Sequence, residues 1–245
     1  MELHQFTPLL NNMLKKILLF AFFGLFTLCL QAQREKILNL PSFDEHIFHY
    51  GFYLGLNNNG YKVSYKPSAF NNAEVEVSSS VGFNVGLIAD LKLHNNLNLR
   101  FEPGLMSNTK TLFFKHIPGT ENIHTREVSA TYLHLPLLLK MSTNRLNNIR
   151  PYVLGGISYD YNFSSNEKNG DDNAVGEFRT TTSNVLYEIG IGIDLYLSYF
   201  KLSPSIRGVF AINNELIPDN NSPSQWTDPL DYLGTRGVFL HLSFE

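Results

Sequence analysis

The sequence predicts an all-β protein, an eight-stranded antiparallel transmembrane β-barrel, on three observations. First, 43% of the 245 residues are apolar and 13% are aromatic, whereas only 17% are charged, compared with about 25% in ordinary globular chains. Second, eight segments alternate between apolar and polar residues with a period of two, which indicates strands with one apolar face. Third, the connections between these segments are alternately long and short, which is typical of outer-membrane barrels.

The N-terminus is typical of a secretory signal peptide. Lys15 and Lys16 precede the apolar stretch 17–30, which is too short to span a bilayer comfortably as a helix. We therefore expect residues 1–32 to be a signal peptide, with Met13 as the start. A buried N-terminal helix is the alternative.

The rest of the chain leaves two fold classes open. No other apolar run reaches the roughly 18 residues that a membrane helix needs, so the exported chain is either a soluble periplasmic β-sandwich or a barrel. Both folds contain strands with period-two alternation. Aromatic residues near the ends of the apolar faces, such as Tyr159, Tyr161 and Tyr187, favour the barrel, because barrels carry aromatic girdles at both membrane interfaces.

The predicted strands have the length that a tilted membrane strand needs. Ten residues tilted near 40° span roughly 25 Å of bilayer height. The eight segments are residues 48–57, 81–93, 97–107, 131–141, 150–161, 184–196, 200–210 and 235–244. The long connections are residues 58–80, 108–130, 162–183 and 211–234. Long loops face the exterior in such barrels, so residues 48–245 are predicted to form the barrel with both chain ends in the periplasm.

One parity of each segment is predicted to face lipid. The fourth segment is apolar on both parities, and there Lys140 marks the inner one. In the first four segments the lipid-facing residues are Phe52 and Leu54, then Phe83, Val85 and Leu87, then Leu99 and Phe101, and then Leu135 and Leu137. In the last four they are Val153 and Ile157, then Ile189, Ile191 and Ile193, then Leu202 and Ile206, and finally Leu240 and Leu242.

The opposite parity carries the charges. Asp90 shares a parity with Lys92, and Arg100 shares one with Glu102. The interior of an eight-stranded barrel is narrow enough to be filled by side chains, and buried charges need partners. We therefore predict an ion-pair network in the lumen, formed by Asp90, Lys92, Arg100, Glu102, Lys140, Arg150, Asp160, Glu188, Asp194, Lys201 and Arg207.

The residues predict no catalytic site, cofactor, metal or small-molecule substrate. The net charge of −3 and the absence of a basic run argue against a nucleic-acid partner. His46 and His49 do not have the helical spacing of a zinc motif. Residues 166–173 could hold a calcium ion loosely, but they lack the terminal Glu of a calcium loop, and a solvated turn is the favoured interpretation.

Three stretches resemble a known family. Residues Asn39 to Asp44, followed by His49 to Gly55, resemble the opening of the PorT family of small outer-membrane barrels, which belong to the type IX secretion system. Residues 132–140 and 150–156 are similar to strands of small outer-membrane barrels in general. The resemblance implies a non-enzymatic accessory of the bacterial outer membrane, in contact with lipid and with other type IX components. Such an accessory is needed for export of surface proteins and, in gliding species, for motility.

Residues 33–47 are predicted to be a periplasmic segment ahead of the barrel. We expect this segment either to dock on a secretion partner, which we favour, or to plug the barrel. Its candidate contact residues are Leu38, Leu40, Pro41, Phe43 and Asp44. A stand-alone surface barrel for adhesion or stress protection is the alternative function, and a lipid-modifying barrel enzyme is a third.

Overall fold

The computed structural model describes residues 37–67, 74–117, 124–168, 178–220 and 224–245. The chain divides into two compact units, Met1–Leu38 and Asn39–Glu245. Of the first unit, Ile37 and Leu38 are described, and both are exposed. The predicted signal peptide, residues 1–32, lies outside the described residues. Among the described residues, no helix is both long and apolar enough to cross a membrane.

The second unit is built from antiparallel strands preceded by a short 3₁₀ helix, Phe43–Glu45. The strands are β1 (Phe48–Tyr65), β2 (Val75–Ser79), β3 (Val81–His94), β4 (Leu97–Phe101), β5 (Gly104–Phe114), β6 (Thr125–Ser142), β7 (Ile149–Asn162), β8 (Ser183–Tyr196), β9 (Lys201–Ala211) and β10 (Leu230–Phe244).

The strands form one sheet that closes into a barrel, because β1 pairs with both β3 and β10. The ten strands form a ring of eight members, because two members are each interrupted by a short break. Strand β2 leads into β3 with a break at Ser80, and β4 leads into β5 with a break at Glu102 and Pro103. A proline lacks the backbone N–H that a ladder hydrogen bond needs, which accounts for the second break. The predicted fold class, an all-β eight-stranded barrel, is confirmed.

The strands extend further than predicted on the side of the long connections. Strand β1 continues to Tyr65 and β10 begins at Leu230, so the prediction that residues 58–80 and 211–234 are entirely loops is wrong. The extensions pair in regular register, with Asn59 opposite Gly237. The outward face of these extensions is polar. The apolar alternation therefore marks only the part of β1 and β10 that is nearer to the short connections.

The outer wall carries a continuous apolar surface. Of the predicted lipid-facing residues, Leu99, Leu135 and Leu202 are half-buried and the other fifteen are exposed. We call these eighteen residues the apolar belt. Side chains of the opposite parity are buried. Tyr53 packs closely against Gly104: a Cβ atom added to Gly104 would lie 2.1 Å from the Oη atom of Tyr53. Large inward side chains thus fill the barrel where the facing wall carries glycine.

Candidate functional site

The middle of the lumen holds two arginines around one carboxylate. Glu102 accepts hydrogen bonds from Arg207 at 2.6 and 3.0 Å and from the Nε of Arg100. Arg100 also lies 3.3 Å from the carboxylate of Asp90. All four side chains are almost completely buried. Their mutual pairing meets the requirement that charges removed from water have charged partners.

His134 lies beside this centre and between two further carboxylates. Its Nδ1 lies 2.5 Å from Asp160 Oδ1, and its Nε2 lies 3.0 Å from Glu188 Oε1. The second contact is an ion contact without hydrogen-bond geometry. Glu188 in turn lies 3.9 Å from Arg207. Contacts between these side chains therefore connect Asp160 to the two central arginines.

The third of the lumen on the side of the short connections, which the predicted orientation places in the periplasm, holds two lysine–carboxylate pairs. Lys140 donates to both carboxylate oxygens of Asp194 at 2.8 Å. Lys201 donates to Glu245 at 3.0 Å, and Glu245 also accepts a hydrogen bond from Arg100 at 2.9 Å. The C-terminal residue thus links the periplasmic pairs to the centre.

The structure brings nine of the eleven predicted network residues together in the lumen and separates two from them. Lys92 and Arg150 lie at the periplasmic rim, where both contact Asp44. Sequence reasoning missed Glu245 and His134 as partners. Parity was the available signal, because Glu245 shares the inward parity of its strand and His134 shares that of Lys140.

Residues 39–46 cross the periplasmic mouth of the lumen. Phe43 stacks on His49 of β1 with ring centroids 4.4 Å apart, and the Nζ of Lys201 of β9 lies 4.6 Å from the centroid of the Phe43 ring. The carbonyl oxygen of Asp44 accepts a hydrogen bond from Lys92 of β3 at 2.7 Å. Strands β3, β1 and β9 lie in one half of the ring, whereas Arg150 of β7 and Tyr196 of β8, which also contact Asp44, lie in the other half. The segment therefore covers the opening rather than hanging from one edge.

Asp44 is the main polar anchor of this cover. Its carboxylate accepts hydrogen bonds from Tyr196 Oη at 2.7 Å and from Arg150 at 3.2 Å, and it lies 3.5 Å from Arg145. Asn39 adds two hydrogen bonds of 2.9 Å, one from its backbone N–H to Asn148 and one from its amide to the Tyr196 carbonyl. We call residues 39–46 the periplasmic cover.

The candidate contact residues of this segment differ in their placement. Phe43 and Asp44 face the barrel and are half-buried, as is Leu40, whose carbonyl accepts a hydrogen bond from Arg145 at 3.1 Å. Pro41 is exposed, and Leu38 belongs to the preceding unit. The cover therefore has an inner side bound to the barrel and an outer side that is free of it.

The opposite end, on the side of the long connections that are predicted to face the exterior, is closed by an apolar cluster. It consists of Tyr61, Val75, Leu112, Phe114, Ile117, Phe178, Leu230 and Leu233, with Trp226 packed against it. We call it the extracellular cluster. Phe114 and Leu233 have no exposed surface, so this end excludes water.

One carboxylate lies beneath the extracellular cluster. Glu215, in the connection after β9, is buried and accepts hydrogen bonds from the backbone N–H and hydroxyl of Thr235 at 2.6 and 2.9 Å. Burial raises the pKa of its carboxyl above the usual 4.5, although the charge of Lys110 works in the opposite direction. Lys110 itself donates to the Thr235 hydroxyl at 2.8 Å.

Within the described residues, no group of three or more His, Cys, Asp or Glu side chains could hold a metal ion. Part of the calcium-loop candidate, residues 169–173, lies outside the described residues. Chemically, the barrel presents a lumen filled with paired charges between two closed ends. This arrangement suits a structural support better than a passage for solutes.

Comparisons with known proteins agree with the barrel fold. Residues 31–216 match a family model described as an outer membrane protein beta-barrel domain. No curated protein sequence is significantly similar to the chain.

Several solved structures are similar at low sequence identity. The outer membrane protein OprG from Pseudomonas aeruginosa is 11% identical, with 79% of this chain and 94% of that chain covered and a TM-score of 0.42. Neisserial surface protein A is 10% identical, with 80% and 97% covered and a TM-score of 0.37. The outer membrane protein AlkL, solved in DMPC bilayers, is 14% identical, with 80% and 88% covered and a TM-score of 0.40.

Proposed function

We propose, from the premise that this chain belongs to the family of outer membrane protein beta-barrel domains, that it serves type IX protein secretion as a non-enzymatic accessory. The protein lies in the bacterial outer membrane, where the apolar belt contacts lipid. In this proposal its working surface is the periplasmic face, and its partners are other components of the secretion system.

Because the lumen is filled, the barrel is better suited to act through one of its end surfaces than to pass a solute through its interior. Arg100, Glu102 and Arg207 occupy the middle of the lumen and are at most 1% exposed. A solute passing through would have to displace these paired charges, and separating a buried ion pair is costly. We therefore assign the barrel the task of holding its periplasmic face at the membrane.

The periplasmic cover is the observation that carries the proposal. The stretch that resembles the PorT opening, Asn39 to Asp44, is also the stretch that supplies the anchoring contacts of Asn39, Phe43 and Asp44. Its other side presents Pro41, Ser42 and Glu45 to the periplasm as exposed residues. In this view plugging and docking are two sides of one segment: the inner side closes the barrel and positions the outer side for a partner.

The test separates these two sides in a strain that secretes through the type IX system. Ser42→Arg combined with Glu45→Arg changes the outer side and leaves the anchoring carboxylate intact. We expect normal insertion and heat-modifiable migration of this variant but loss of surface-protein export. The inner-side variant Phe43→Ala should weaken both the cover and export. Normal export by both variants would contradict the secretion role of the cover.

The extracellular cluster favours the alternative, a stand-alone surface barrel for adhesion or stress protection. Burial of Phe114 and Phe178 ties the outer connections to the barrel wall, and a rigid outer end suits recognition of an external surface. This alternative predicts that replacing the outer connections abolishes the phenotype of the protein, whereas the cover variants leave that phenotype unchanged.

A further inference from the structure

The outward charges of the extracellular part of the barrel are not evenly distributed. On the pair β1 and β10, the apolar belt reaches Leu240, which lies opposite Leu56. In the next outward row Val238 lies opposite Asn58, and in the row after that Arg236 lies opposite Gly60. The wall therefore changes from apolar to cationic within two rows.

A second cation follows immediately. Lys62 lies one row beyond Arg236, opposite Gly234. Both Lys62 and Arg236 are exposed, whereas Tyr61 and Thr235, their neighbours of inward parity, are buried. Within the described parts of the chain, neither cation lies within ion-pair distance of a carboxylate. Their charge is thus available to a partner outside the barrel.

Other outward positions beyond the apolar belt carry the opposite charge. Glu76 of β2 and Glu127 of β6 are exposed there. Lys115, the cation close to this side, is already held by Glu74 at 2.9 Å and by Glu76 at 3.1 Å. Among the described strand residues beyond the apolar belt, the unpaired outward cations therefore lie on β1 and β10.

The height of the two cations matches the headgroup layer of a bilayer. Successive outward residues on one strand are about 7 Å apart, and a headgroup layer is about 5–8 Å thick on each side of the hydrocarbon core. Arg236 thus lies one such step beyond the last apolar residue of its strand. Aromatic rings mark the same level: Phe210, opposite Arg236, stacks on Tyr187 with centroids 5.0 Å apart.

We propose that Lys62 and Arg236 form a binding surface for the phosphate groups of outer-leaflet lipid. A guanidinium can bind two phosphate oxygens at once, and an ammonium one step away can neutralise a second negative charge. Tyr232 lies beside them: its ring covers Gly234, which is opposite Lys62, and its hydroxyl donates to the Ala211 carbonyl at 3.1 Å. The ring offers an apolar platform next to the charges. The proposal depends on the position of the barrel in the outer membrane and not on the secretion role.

The experiment measures binding of lipid A, which carries phosphates, and of dephosphorylated lipid A to the full chain in neutral detergent by native mass spectrometry. Lys62→Gln combined with Arg236→Gln should weaken lipid A binding by on the order of tenfold. Arg236→Lys should retain most of the binding. Lys115→Gln is the matched control, since it removes an exposed cation away from the surface, and it should bind like the unmodified protein.

Three outcomes would overturn the proposal. One is equal binding of lipid A by the double variant and the unmodified protein. Another is equal loss in Lys115→Gln, which would indicate net charge rather than a surface. The third is equal binding of dephosphorylated lipid A by the unmodified protein, which would assign the affinity to the acyl chains. If the double variant lacks heat-modifiable migration, the single variants Lys62→Gln and Arg236→Gln carry the test, each with a smaller expected loss.

Discussion

The two ends of the lumen are closed by different chemistry. At the periplasmic end, the cover is attached through the carboxylate of Asp44, which contacts Arg150 and Tyr196. At the extracellular end, Phe114 and Leu233 pack in an apolar cluster. The first closure depends on directional polar contacts that water can replace, whereas the second depends on removing apolar surface from water.

The two closures also differ in how they are built into the chain. The extracellular cluster uses residues of the strands, such as Leu112 of β5 and Leu233 of β10, so opening it means unfolding part of the wall. The periplasmic cover lies ahead of β1 and contributes no strand to the ring. Its contacts can therefore break without any loss of strand pairing, and the docking of a partner proposed above would use this end.

The largest effect is expected at the apolar end. Phe114→Ala should lower the free energy of unfolding by about 3 to 5 kcal/mol, because it leaves a cavity in a fully buried cluster. Urea unfolding of the vesicle-inserted protein measures the change. Phe113→Ala is the matched control, since Phe113 is adjacent, half-buried and of the opposite parity, and its cost should be clearly smaller. Similar costs for both would mean that the cluster does not close this end.

Variants in the middle of the lumen test whether burial determines how much an ion pair contributes to the stability of the barrel. Arg100→Met should destabilise the barrel by about 3 to 5 kcal/mol at most, because Glu245 and Asp90 lose a buried partner. Lys115→Met removes an exposed cation that is paired with Glu74 and Glu76, and it should cost clearly less, because ion pairs in contact with water contribute little to stability. Equal costs in chemical unfolding would show that burial does not decide the strength of these pairs.

A smaller effect is expected at the periplasmic cover. Asp44→Asn should lower stability by about 1 kcal/mol, because the ion contacts of a half-buried carboxylate are lost while its hydrogen-bond geometry is largely kept. Protease cleavage within residues 39–46 should become faster. Raising the salt concentration from about 0.1 M to about 1 M should shrink the difference, because charges are then screened beyond about 3 Å. A salt-independent difference would mean that packing of Phe43, rather than the ion contacts of Asp44, holds the cover in place.

The fold could be predicted because the bilayer imposes a strict alternation on the strands. Ile189, Ile191 and Ile193 alternate with Glu188 and Gly190, and the structure exposes the first set and buries the second. The limits of the strands could not be predicted in the same way. Beyond the apolar belt both faces of a strand can be polar, so the register between Asn59 and Gly237 leaves no pattern in the sequence.

The charges of the lumen could be predicted as a group but not as pairs. Parity indicates whether a side chain faces the lumen or the lipid. Which charges pair depends on the height of each side chain in the barrel and on the stagger of distant strands. Glu102 and Arg207 are 105 residues apart in the chain, and no local spacing brings them together. The position of Asp44 could not be predicted either, because the segment that carries it has no period and its contacts come from three separate parts of the chain.

The smallest expected effect concerns pH at the extracellular end. Because burial raises the pKa of Glu215, the folded state holds its proton more tightly than the unfolded state. The stability contributed by this group is therefore complete below the usual pKa of 4.5 and falls as the pH rises through the raised value. Glu215→Gln keeps an acceptor for Thr235 and cannot ionise, so thermal unfolding followed across this range should lose this fall in stability with rising pH. Glu167 is the matched control, because its hydrogen bonds with Thr182 lower its pKa, so Glu167→Gln should remove a contribution that rises with pH. If Glu215→Gln left the pH dependence unchanged, the carboxyl would be open to water, and the extracellular cluster would not seal this end of the lumen.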